Sequence, residues 1–126
     1  MPETQKSTKT VLVLEDNRIQ REGIAAVLRD KGYEVELAEN VAEAWSYLRG
    51  DPLPGLVLLD MMLPSVDGWQ FLNQLTRDPA LAHVPVIIAT GLGIASKEWA
   101  ASLGAAGLLR KPFDAVQLVL EVERFL

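Results

Sequence analysis

Short runs of apolar residues recur along the chain, separated by stretches in which apolar residues return every three or four positions. The clearest run, residues 56–59, leads directly into Asp60. An unbroken apolar run of this length indicates a strand buried on both faces, which is typical of parallel sheets. Residues 10–14 and 86–89 predict two similar strands. Residues 33–37 alternate apolar and acidic side chains, which predicts a more exposed strand.

A brief fifth strand is predicted at Leu108-Leu109, and a helical pattern follows each of the five strands. Asn40 and Ser96 are predicted to cap two of these helices, and the last helix is predicted to run to Leu126. Strict alternation of strands and helices predicts one α/β domain over residues 10–126. We expect a doubly wound, five-stranded parallel sheet in a three-layer α/β/α sandwich.

The composition narrows the class of protein. The chain has 126 residues, no cysteine and a formal net charge of −5. Disulfides and thiolate metal sites are therefore excluded, and a reducing, cytoplasmic location is expected. The chain has no run of basic residues that would favour nucleic-acid binding. It also has no apolar run that approaches the roughly 20 residues needed to cross a bilayer. The polar residues 1–9 predict a short disordered tail, and His83, the only histidine, is predicted to be a loop residue.

Polar side chains follow four of the predicted strands: Glu15 and Asp16, then Asp60, Thr90 and Lys111. The carboxyl ends of parallel strands meet at one edge of a sheet, where ligands bind in open α/β folds. Each residue alone could be a helix cap or a solvated turn residue, and Asp16 or Asn17 could cap the first helix. Three carboxylates at one edge would repel one another unless a divalent cation such as Mg²⁺ and the ammonium group of Lys111 compensate.

These motifs, in this order and spacing, resemble the receiver domain of two-component response regulators, and the match covers residues 10 to 126. The motifs that carry the resemblance are Val13-Leu14-Glu15-Asp16-Asn17, Leu59-Asp60-Met61-Met62-Leu63-Pro64 with Asp67-Gly68, Ile88-Ala89-Thr90-Gly91, and Lys111-Pro112-Phe113. The resemblance implies the flavodoxin-like (βα)5 version of the predicted fold. It also implies a signalling switch whose surface changes for a downstream protein target, rather than an enzyme acting on other substrates.

The resemblance implies a role for each residue that binds the phosphoryl group. Asp60 would accept it from a phosphohistidine on a sensor histidine kinase or phosphotransfer protein. Thr90 would hydrogen-bond the phosphoryl oxygens after transfer. Lys111 would pair first with Asp60 and then with the phosphoryl group, and the Lys111–Pro112 peptide would be cis. A carboxylate is an established phosphoryl acceptor.

The same resemblance implies a Mg²⁺ site made by Glu15, Asp16, Asp60 and the backbone carbonyl of Met62. The family often has aspartate where this chain has Glu15. The longer side chain leaves open whether Glu15 contacts the metal directly or through water.

Two other departures concern signalling. Leu108 stands where the family often has an aromatic residue that swings inward on activation, so we expect Thr90 and residues 91–95 to carry the rearrangement instead. Met62 and Leu92 stand where side chains flank the path of the hydrolytic water, and neither can hydrogen-bond it. Slow loss of the phosphoryl group is therefore expected.

Two other functions are weighed against this one. A binding module that keeps the fold but is not phosphorylated has only Leu108 in its favour. A flavodoxin-like FMN protein would need a phosphate-binding loop where Glu15 and Asp16 would repel a phosphate.

The last helix has apolar residues over an arc of about 220°, more than one packed face requires, which suggests a homodimer.

Overall fold

A computed structural model of the protein describes residues 9–50, 52–61 and 66–126. The predicted disordered tail, except for Lys9, lies outside the described residues. Within them, five parallel strands form one sheet: β1 (Thr10–Leu14), β2 (Glu34–Ala38), β3 (Leu56–Asp60), β4 (Val86–Thr90) and β5 (Gly107–Arg110). The strand order is β2-β1-β3-β4-β5. β1, β3 and β4 are buried along their whole length, as their apolar runs predict, and β2 is the more exposed edge strand.

Five helices cover the two faces of the sheet: α1 (Arg18–Asp30), α2 (Val41–Leu48), α3 (Val66–Arg77), α4 (Lys97–Ser102) and α5 (Ala115–Glu123). Successive side chains of a strand point to opposite faces. Leu12 and Leu14 therefore pack with α2, α3 and α4, whereas Val11 and Val13 pack with α1 and α5. The predicted doubly wound, three-layer α/β/α sandwich is confirmed.

Local capping fixes where the helices begin. The side chains of Asn17, Asn40 and Ser96 each accept a hydrogen bond from a backbone N–H in the first turn of α1, α2 and α4. Asn17, not Asp16, is therefore the cap that the sequence left undecided. The predicted end of α5 at Leu126 is wrong. The helix ends at Glu123, because the next two residues, Arg124 and Phe125, form tighter i to i+3 hydrogen bonds to the carbonyls of Glu121 and Val122.

The strand order indicates the edge of the sheet at which a binding crevice is expected. The chain passes from β1 to β2 on one side and from β3 to β5 on the other, so its direction reverses between β1 and β3. Open α/β sheets bind ligands outside the carboxyl ends of the strands at such a point.

His83 lies exposed in the turn between α3 and β4, as predicted. None of the helices in the described part of the chain is long and apolar enough to cross a membrane.

Candidate functional site

Three acidic residues meet at the carboxyl ends of β1 and β3. Glu15 directly follows β1, Asp60 is the last residue of β3, and only 2% and 3% of their surfaces are exposed. Asp16 lies beside them and is exposed. One carboxylate oxygen of each residue lies within 4.8 Å of the others. The structure thus brings together the acidic residues that the sequence analysis singled out.

The ammonium group of Lys111 lies among these carboxylates. Its Nζ donates to Asp60 Oδ2 at 2.8 Å and to Glu15 Oε1 at 3.3 Å. A third hydrogen bond, of 3.1 Å, goes to Oε1 of Gln20 in the first turn of α1. These three acceptors match the three protons of the ammonium group. The Lys111–Pro112 peptide is cis, as the resemblance implies.

Gln20 is a site contact that the sequence analysis missed. It is 91 positions from Lys111, and a glutamine on an exposed helix face has no special signal in the sequence. The contact follows from the Asn17 cap, whose Oδ1 accepts from the backbone N–H of Gln20 at 2.9 Å. Gln20 is thereby fixed at the start of α1, beside the crevice.

The pKa values of Glu15 and Lys111 are both raised in this cluster. The pKa of Glu15 is raised from 4.5 to about 7, mainly by burial and also by the hydrogen bond with Asp60 and the charge of Asp60. The backbone N–H of Asn17 and the charge of Lys111 lower it, but they do not outweigh burial. Burial lowers the pKa of Lys111, but the hydrogen bond and charge of Asp60 outweigh it, so the net shift is upward. Lys111 is therefore charged at neutral pH.

Thr90 ends β4 and is fully buried. Asp60 pairs in register with Ala89, so Thr90 lies one residue beyond the acidic residue on the neighbouring strand. Its Oγ1 accepts a 3.1 Å hydrogen bond from the backbone N–H of Leu92, and its carbonyl accepts one of 2.8 Å from the N–H of Lys111. Thr90 is thus tied both to the loop that follows β4 and to the lysine at the end of β5.

Not every predicted site residue is described. Met62, with the carbonyl predicted to bind metal, lies outside the described residues. Leu92 lies in the loop between β4 and α4 with 38% of its surface exposed. Leu108 is half-buried and packs with the apolar cluster on the side of α2, α3 and α4.

The donor set fits a hard divalent cation. Carboxylate oxygens are the ligands that Mg²⁺ prefers, and it usually keeps several waters as well. The exposed Asp16 leaves one side of the cluster open to solvent, while Glu15 and Asp60 are buried. One ammonium group balances only one negative charge, so an added cation would favour the ionised form of the whole acidic cluster.

Comparison with known proteins agrees with the resemblance to receiver domains. The family model "Response regulator receiver domain" matches residues 11–123. Response regulator Rre1 of Synechocystis sp. is 38% identical over 119 residues, covering 93% of this chain and 51% of Rre1. Protein PilH of Pseudomonas aeruginosa is 31% identical over 117 residues, covering 92% of this chain and 96% of PilH. The chain thus spans about half the length of Rre1 and nearly all of PilH.

Solved structures share the fold over almost the whole chain. A putative response regulator from Chloroflexus aurantiacus has a TM-score of 0.83 and 30% identity, covering 93% of this chain and 96% of that one. The chemotaxis protein CheY4 of Vibrio cholerae has a TM-score of 0.81 and 27% identity, covering 93% and 98%. Because the family model covers residues 11–123, the chain belongs to the response regulator receiver domains of two-component systems.

Proposed function

We propose that the protein is a phosphoacceptor switch in which Asp60 receives a phosphoryl group. The observation that carries the proposal is the 2.8 Å contact between Lys111 Nζ and Asp60 Oδ2 within the buried acidic cluster. Asp60 is a buried carboxylate with a lysine donor in contact, and the two neighbouring acids can hold a cation. The lysine and such a cation would together stabilise the added negative charge. The donor of the phosphoryl group is a phosphohistidine on a sensor histidine kinase or phosphotransfer protein.

In the proposed reaction, a carboxylate oxygen of Asp60 attacks the phosphorus of the phosphohistidine. The P–O bond forms as the P–N bond breaks, the imidazole leaves, and the product is an acyl phosphate on Asp60. Such transfer depends on in-line positioning and on stabilising the spread negative charge. Lys111 moves its ammonium group from Asp60 to a phosphoryl oxygen. Thr90 donates its hydroxyl proton to another, since its Oγ1 already accepts from Leu92.

Glu15, Asp16 and Asp60, with the backbone carbonyl of Met62, are the proposed ligands of Mg²⁺. When bound there, the ion neutralises part of the charge on the phosphoryl oxygens. A bound cation would also balance the charge of ionised Glu15, whose burial otherwise costs free energy.

The proposed output is a changed surface offered to a downstream protein target. The chain catalyses only its own phosphoryl transfer and slow dephosphorylation, so we do not propose an enzyme with a separate substrate. The cytoplasmic location stays a prediction.

Labelling by a small phosphodonor such as acetyl phosphate tests the proposal by intact mass. We expect the parent to gain the mass of one phosphoryl group only when Mg²⁺ is present, and Asp60→Asn to gain none. Asp30→Asn, at the exposed end of α1, is the matched control and is expected to label like the parent. A parent that stays unlabelled under all conditions would instead support the phosphorylation-independent binding module.

A further inference from the structure

The loop between β4 and α4 is attached to the end of β5 by one side chain. Arg110, the last residue of β5, donates from Nη2 to the backbone carbonyl of Ala95. Ala95 is fully buried, so the guanidinium group serves as the hydrogen-bond partner of a carbonyl that water does not reach in the folded protein. The side chains of residues 108 and 110 point to the same face of β5. Leu108 has no polar group that could hydrogen-bond the loop, whereas Arg110 has.

Further hydrogen bonds lead from Ala95 to Thr90. The N–H of Ala95 donates to the carbonyl of Leu92 at 3.2 Å, and the N–H of Leu92 donates to Oγ1 of Thr90 at 3.1 Å. The path closes at the neighbouring strand end, where the N–H of Lys111 donates to the carbonyl of Thr90 at 2.8 Å. The loop is thus held at both ends, by the strand that carries Thr90 and by the residue next to Lys111.

We propose that Arg110 is a positioning residue for the hydroxyl of Thr90, an inference that rests on the proposed phosphoryl transfer to Asp60. The guanidinium group anchors the carbonyl of Ala95, and the turn from Leu92 to Ala95 then directs the N–H of Leu92 at Thr90. With its oxygen already accepting, the hydroxyl has its proton available for a phosphoryl oxygen. Arg110 itself touches neither Asp60 nor the phosphoryl group in this role.

Beryllofluoride, which mimics a phosphoryl group on an aspartate carboxylate, provides the test when its binding is followed by fluorine NMR with Mg²⁺ in excess. Arg110→Met keeps the apolar stem and removes the donors. We expect it to raise the half-saturating concentration roughly three- to tenfold, because about one hydrogen bond's worth of orientation is lost. Arg29→Met is the matched control, since Arg29 also donates to a backbone carbonyl, that of Val35, at a distance from the site. It is expected to bind like the parent.

A double-mutant cycle separates positioning from charge. A loss of positive charge would weaken binding with or without the hydroxyl, whereas positioning acts only through Thr90. We therefore expect Arg110→Met to have little effect when it is added to Thr90→Ala. An equal loss in both backgrounds, or no loss in the parent background, would overturn the positioning role.

Amide exchange without beryllofluoride gives a second readout on the folded protein. The N–H groups of Leu92 and Ala95 should exchange faster in Arg110→Met than in Arg29→Met, and unchanged rates would contradict the anchoring of the loop. If the parent does not bind beryllofluoride at all, the proposed function fails and the positioning role fails with it. If the parent binds and Arg110→Met binds equally well, only the positioning role fails.

Discussion

At the scale of single residues, the burial of Glu15 conflicts with its charge. Its pKa is 4.5 in a solvated chain and about 7 in the folded protein. Between these pH values the folded state binds more protons than the unfolded state, so the free energy of unfolding falls as pH rises. The free-energy cost of burying ionised Glu15 is absent below about pH 4.5 and complete above about pH 7. It is on the order of 3 kcal/mol at most.

We therefore expect Glu15→Gln to remove this pH dependence. Without Mg²⁺, the variant should unfold at a higher urea concentration than the parent at about pH 8, and the difference should shrink towards about pH 5. Glu22→Gln, which changes an exposed acid in α1, is the control and should keep the parent's profile. Unfolding curves that change in parallel with pH for the parent and Glu15→Gln would contradict the assignment of the shift to Glu15.

The lifetime of the phosphoryl group also depends on single side chains. Leu92 is partly exposed in the loop after β4, and neither it nor Met62, outside the described residues, can hydrogen-bond an attacking water. We expect slow self-dephosphorylation, and we expect Met62→Asn combined with Leu92→Glu to accelerate it roughly tenfold by orienting that water. Ile94→Glu, at an exposed position of the same loop, should decay like the parent. Equal decay for the parent and the double variant, or a fast-decaying parent, would show this prediction to be wrong.

The sequence predicted the acidic residues, Thr90 and Lys111 because each stands at a strand end, where the pattern changes from apolar to polar. It did not reveal Gln20 or Arg110. Their partners lie 91 and 15 positions away, and both contacts depend on how far a flexible side chain reaches across the fold. Such contacts leave no periodic trace in the chain.

At the scale of elements, α5 has more apolar surface than its packing uses. Leu118, Val119 and Val122 are buried, whereas Val116 and Leu120 are 65% and 59% exposed. The breadth of the apolar arc predicted this surplus. The sequence could not predict that α5 ends at Glu123, because the residues beyond it are as apolar as those within the helix.

The exposed face of α5 carries the prediction of a homodimer. We expect sedimentation to detect a dimer at high concentration, more strongly with beryllofluoride than without it, and Leu120→Lys to weaken it by placing a charge in the contact. Ile19→Lys, at an 82% exposed position of α1, is the control and should sediment like the parent. A parent that stays monomeric under both conditions would rule out the dimer.

At the scale of the whole molecule, most of the architecture follows from the apolar pattern. Unbroken runs predicted buried strands, alternation predicted the exposed strand β2, and right-handed crossovers left few ways to arrange five strand–helix units. Periodicity alone did not predict the strand order, which the structure shows to be β2-β1-β3-β4-β5. That order places β1 beside β3, and hence Glu15 beside Asp60.

Locating the modified residue tests Asp60 as the phosphoryl acceptor most directly. After labelling with acetyl phosphate and Mg²⁺, borohydride reduces an aspartyl phosphate to homoserine, which peptide mass spectrometry can place in the sequence. We expect homoserine at position 60 and nowhere else. Homoserine at another aspartate, or a phosphoryl group that survives borohydride on a different type of side chain, would contradict the proposed function.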